Sequence, residues 1–207
     1  MIISSMSKII GISLIIGPLL LLLLFAGLWP AATVPESEAI GAITSNPTYT
    51  LFLMFLAGSS ILMITGGSVL LSRQQAEKAD LPNKQILLLG DISFVVTATM
   101  FLLQGSFILA TINTVLADNA ADAAILYLMS NHVGDILPWT FGISMVLLAI
   151  SGIHGSLKPR VSGLLIVPGF VFLASIFIGG SGIGGFIPWI VMTIVYVIVG
   201  ISVLLKK

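Results

Sequence analysis

LKPRVSGLLIVPGFVFLASIFIGGSGIGGFIPWIVMTIVYVIVGISVLLKK, residues Leu157 to Lys207, holds two apolar runs between basic ends. One helix through both runs would be far longer than a bilayer is thick. Gly179, Gly180, Ser181, Gly182, Gly184 and Gly185 supply the break, which predicts a tight hairpin between two spanning helices. The cluster has no following Lys-Ser/Thr, so it does not read as a phosphate-cradling loop. Lys158 and Arg160 open the pair and Lys206 and Lys207 close it, so both ends of the hairpin belong on one side of a membrane.

The same pattern extends through the chain. Its eight basic residues are completed by Lys8, Arg73, Lys78 and Lys84, each just outside a long apolar stretch at alternate crossings. Six runs follow, at about 9–29, 48–71, 86–113, 136–153, 161–179 and 185–205. The expected fold is all-α: one polytopic domain over residues 1–207, a bundle of six transmembrane helices. Both termini are then cytoplasmic in the cell membrane. Eight basic residues less Glu77 and Asp80 leave plus six inside; Glu36, Glu38, Asp118, Asp122 and Asp135 face outward. The first run is too long for the apolar core of a cleaved secretory signal and is expected to be retained.

Composition agrees with this class, since 57% of residues are hydrophobic and 8% charged. Soluble domains carry about 25% charged residues. The net charge is zero, and the asymmetric placement of basic residues implies a lipid bilayer as partner and excludes nucleic acid. A homo-oligomer or a membrane-protein partner is compatible with the small residues on the second and fourth runs. Cysteine is absent, which removes disulfides and thiolate chemistry.

The polar chemistry is concentrated in the third run. Asp91 lies near its basic end, at a depth where a charge needs a partner or water. At 100° per residue, Thr97, Gln104 and Thr111 share a stripe with Ser93, while Thr99 and Ser106 fall on another side. Lipid cannot satisfy polar groups on several faces, so this helix is expected to be central, with Asp91, Thr97, Gln104 and Thr111 as ligand or pathway candidates. The opposing reading makes Asp91 an interfacial anchor and Gln104 an interhelical contact. Residues Ala121 to Ser130 suit an amphipathic helix on the outer surface, or an ordinary helix packed on the bundle. Pro18 and Pro168 mark kinks.

Several chemistries are unsupported. His132 and Asp135 are a minor metal candidate, against which stands the simpler role of Asp135 as N-cap of the fourth helix. His132 and His154 fall at opposite ends of a helix, which argues against a bis-histidine haem, and no cofactor is expected. No run contains a lysine for a Schiff base, and no hydrolase signature appears.

The opening Ser7-Lys8-Ile-Ile-Gly11, the fourth run from Phe141-Gly142, and Leu157-Lys-Pro-Arg-Val-Ser-Gly entering the fifth carry a resemblance. On these residues the whole chain resembles small bacterial six-helix membrane families known only as domains of unknown function. Such families typically have a basic or polar residue near the start of the third helix, where this chain has Asp91. The resemblance implies the fold and assigns no functional residue. The favoured function is a binding or permeation bundle for a small or amphiphilic molecule. A non-catalytic subunit or scaffold of a membrane complex comes next, and an intramembrane enzyme last, because converging acid, base or metal groups are missing.

Overall fold

In the computed structural model, which describes residues 2–153, 159–178 and 183–205, every regular element is a helix. They are α1 (Ile2–Leu23), α2 (Ala39–Ser45), α3 (Pro47–Ala76), α4 (Leu81–Leu116), α5 (Ala120–Gly134), α6 (Leu137–Gly152), α7 (Pro159–Leu164), α8 (Ile166–Ile178) and α9 (Ile183–Leu204). Six segments among them are long and apolar enough to cross a membrane, which makes this a multi-pass membrane protein. The residues of the expected glycine hairpin, 179–182, lie outside the described part, as do His154, Lys158, Lys206 and Lys207.

Each span packs mainly on its neighbours in sequence, and the last returns to the first. α1 packs on α3, α3 on α4, α4 on α5 and α6, α6 on α8, α8 on α9, and α9 on α1. The result is a closed ring of alternating helices. Lys8, Arg73, Lys78, Lys84 and Arg160 fall at one end of it, the basic end. Glu36, Glu38, Asp118, Asp122 and Asp135 fall at the other, the acidic end. Apolar side chains such as Phe55, Leu88, Val95, Phe170 and Ile194 remain exposed around the outside. That surface is costly in water and at home in lipid.

Ring closure depends on glycine at two helix crossings. A Cβ on Gly200 would stand 2.8 Å from the carbonyl oxygen of Gly11, and one on Gly11 would stand 2.9 Å from that of Gly200. Gly142 and Gly169 make the same reciprocal approach between α6 and α8, at 2.9 and 3.1 Å. Small residues let helix backbones meet in this way without a hydrophobic driving force between them.

The helices extend past the expected bounds where polar caps begin them early. Asn46 accepts a hydrogen bond from the Tyr49 amide ahead of Pro47, and Asp80 accepts from the Asn83 amide ahead of Pro82. Both are Asx caps followed by a proline in the first turn, where its missing N–H is no loss. The fifth span is interrupted at Leu165 because Pro168 cannot donate to Leu164 and crowds its carbonyl. Pro18, by contrast, is carried inside α1.

Two expectations are decided here. Residues 121–130 take the second of their two expected forms, a helix packed on the bundle: they belong to α5, which runs along α4 and is continued by α6. Ser130 Oγ donates to the Gln104 carbonyl, and farther along Ser93 Oγ donates to the Thr140 carbonyl, so one broken helix follows α4 antiparallel. Asp135 does not cap α6 with its side chain; it ends α5 and faces His132 at 3.6 Å.

The third span is the most extensively packed, as expected, but its polar faces are not the cause. α4 carries extensive packing from α3, α5 and α6, yet Thr99 and Ser106 are exposed. Their hydroxyls donate to the carbonyls of Val95 and Leu102, one turn back, at 2.9 and 3.0 Å. A hydroxyl in a helix satisfies itself in this way and needs neither a neighbour nor water.

Candidate functional site: a cavity at the acidic end

The floor of the ring's interior is aromatic. Phe25, Phe101, Phe141, Phe172 and Trp189 come from five different spans and join through ring contacts with centroids 5.1 to 6.4 Å apart, mostly edge to face. Such pairs add about 0.5–1.5 kcal/mol each beyond burial. Phe25 reaches this cluster from a π-helical turn, Leu24–Leu28, that ends α1; the Trp29 amide reaches back to the Leu24 carbonyl at 2.8 Å. Phe25 lies within this wider turn, a local departure often found at functional sites.

Above the floor opens a cavity of about 890 Å³. One wall is the segment between the first two spans, where two short 3-10 turns, Pro30–Thr33 and Glu36–Glu38, lead into α2. That segment is tied down by Tyr49 Oη donating to the Leu28 carbonyl and Thr50 Oγ1 donating to the Ile43 carbonyl. The opposite wall is the break between α5 and α6, with Tyr127, Asn131, Gly134 and Asp135. Gln104 lines this cavity and a smaller one of about 110 Å³ beside it.

Gln104 is held against Gly134: a Cβ there would stand 2.5 Å from its Nε2. Its carbonyl accepts from Ser130, while its side-chain amide has no hydrogen-bond partner among the described residues. The amide is therefore free to turn into the cavity. Glu36 and Asp135 stand exposed on the rim.

The other sequence candidates lie elsewhere. Thr97 and Thr111 are buried, with hydroxyls donating to the Ser93 and Phe107 carbonyls at 2.9 and 2.8 Å. Asp91 sits at the basic end, its Oδ2 3.9 Å from Arg73 Nε, with its own side chain 12% exposed and that of Arg73 69%. By helical rise it is about 20 Å from Gln104 along α4. Among the described residues, no three of His, Asp and Glu converge as a metal site would require. Sequence reasoning passed over Phe25, Phe101, Phe172 and Trp189, whose only signal was an aromatic in each of four of the six spans.

Below the aromatic floor polar contacts bridge the ring. Wholly buried Tyr196 hydrogen-bonds Ser68 across the ring at 2.8 Å. Nearer the basic end, Gln75 Oε1 accepts from Ser162 Oγ at 3.4 Å, directly over Gly152. Comparison of the chain with protein-family models, with curated proteins and with solved structures found no match.

Proposed function

We propose that this protein is a binding or permeation bundle for a small amphiphilic molecule, which it takes into the acidic-end cavity. The observation that carries this reading is a space of about 890 Å³ with an aromatic floor and a polar rim, within the range of small-molecule sites. A scaffold would have its polar groups paired off, whereas the Gln104 amide faces the cavity without a partner. With both termini cytoplasmic in the cell membrane, the cavity opens away from the cytoplasm and gathers its ligand from that side or from the adjoining leaflet.

Two measurements test the reading. Cysteines replacing Glu36 and Asp118 are expected to react with an impermeant reagent in intact cells, and one replacing Lys78 is not; the reverse pattern would invert the orientation. Saturable binding of an uncharged fluorescent amphiphile, N-phenyl-1-naphthylamine, is expected in the purified protein. Ser175→Trp places an indole at the cavity wall and should weaken binding more than about tenfold, roughly 1.4 kcal/mol. Absent or unaltered binding in a variant with a normal melting temperature would refute the cavity as the site.

A further inference from the structure

We infer that the ligand of this cavity is an amphiphilic organic cation, an inference that rests on the binding reading above and narrows it. Three independent features of the lining converge on this chemistry. Both charged residues that line it are acidic, Glu36 and Asp135, and neither lysine nor arginine is among the lining residues. The carboxylates come from different parts of the chain, one from the segment before α2 and the other from the α5–α6 break. They therefore bracket the mouth rather than form one local acidic cluster.

The apolar lining is the second feature. It includes the rings of Phe25, Phe101, Phe172 and Trp189. A cation over a ring face is attracted by the negative face of the π-system, an interaction that strengthens when water is excluded. An anion would meet two carboxylates and no compensating cation in this lining.

The third feature is the distribution of charge over the whole ring. The described basic residues stand at the opposite end, so their positive field is weakest at the cavity mouth. Low-dielectric walls lined by one sign of charge focus the negative field of Glu36 and Asp135 into the opening and raise the local concentration of the opposite sign. A cation with a bulky apolar body satisfies rim and floor together. His132 faces Asp135 from outside and is not part of the lining.

Three aryl probes separate charge from size: tetraphenylphosphonium and tetraphenylborate, which are nearly equal in shape, and the smaller neutral triphenylphosphine oxide. Their binding to the purified full-length protein in nanodiscs is measured by equilibrium dialysis, with partition into empty nanodiscs subtracted. The phosphonium is expected to bind saturably, at least tenfold tighter than either of the others. The double variant Glu36→Gln and Asp135→Asn should bring the three within about threefold of one another. Its melting temperature should hold, since both side chains are exposed. Phe25→Leu keeps apolar volume and should weaken the phosphonium severalfold while leaving the oxide within twofold.

Equal saturable binding of all three probes, or tighter binding of the borate, overturns the cation inference and leaves the cavity reading standing. No saturable binding of any probe overturns both. A preference for phosphonium that survives unchanged in the double variant also overturns the inference, because the selectivity would then arise outside this rim.

Discussion

The two ends of the ring use similar polar residues to opposite effect. At the acidic end Gln104 lies over Gly134 and lines the cavity, its amide without a partner among the described residues. At the basic end Gln75 lies over Gly152, wholly buried, with Ser162 as its hydrogen-bond partner and Nε2 without one among the described residues. Glutamine over glycine is the common device. The outcome differs because the broken helix between α5 and α6 holds one end apart, while the meeting of α3, α6 and α7 closes the other. An amide becomes a binding group or a clasp according to whether the backbone around it leaves room.

The strongest way to break this comparison is to add the same methyl group at both glycines. At Gly152 a Cβ would collide with Gln75 Oε1 and Ser162 Oγ, in a packed interior with nowhere for them to go. Gly152→Ala is expected to destabilise by about 1–3 kcal/mol through overpacking. For a chain of this size each kcal/mol lowers the melting temperature by roughly 2–4 °C. At Gly134 the obstacle is the far end of a side chain facing a cavity, so Gly134→Ala should leave the melting temperature within about 2 °C of the parent. Equal loss at both sites, read by thermal unfolding in detergent, would show that the acidic end is as tightly packed as the basic end.

The spans themselves were legible because a bilayer demands about 20 apolar residues and basic flanks, and hydropathy reads both. Gln104 was legible as well, since an amide in an apolar run stands out. The facing of the apolar residues was not. In lipid the outside of a helix is as apolar as the inside, so Phe25 and Phe172 on the interior carry no pattern that distinguishes them from Phe55 and Phe170 on the exterior. Thr97 and Thr111 misled for a related reason, because polarity on a stripe was taken for a need that their own helix already met. The continuity of α5 with α6 was hidden by Asp135, which read as the N-cap of the fourth helix.

Gln104→Leu sharpens the contrast on the ligand side. It removes an amide that no group among the described residues satisfies, so the melting temperature should stay level or rise. Bound ligand then loses one hydrogen bond, worth about 0.5–1.5 kcal/mol, or a two- to tenfold loss in affinity. Fluorescence titration with N-phenyl-1-naphthylamine reads this directly. A fall in stability with affinity unchanged would make Gln104 an interhelical contact instead.

The smallest effect is expected at Asp91, and it is the most discriminating for the basic end. Its partner Arg73 is largely exposed and returns to water when the charge is removed, so the pair is worth about 1 kcal/mol or less. Asp91→Asn keeps the shape and should therefore lower the melting temperature only slightly. Ligand affinity should be unchanged, because the carboxylate lies about 20 Å along α4 from Gln104 and below the aromatic floor. A flux assay in proteoliposomes then separates binding from passage. If the variant binds normally, melts normally and no longer moves the ligand, Asp91 belongs to a route through the basic end, which must open for that step. If flux persists with a slightly lowered melting temperature, the carboxylate is an anchor for Arg73 and the polar end of the ring is a closed foundation for the open one.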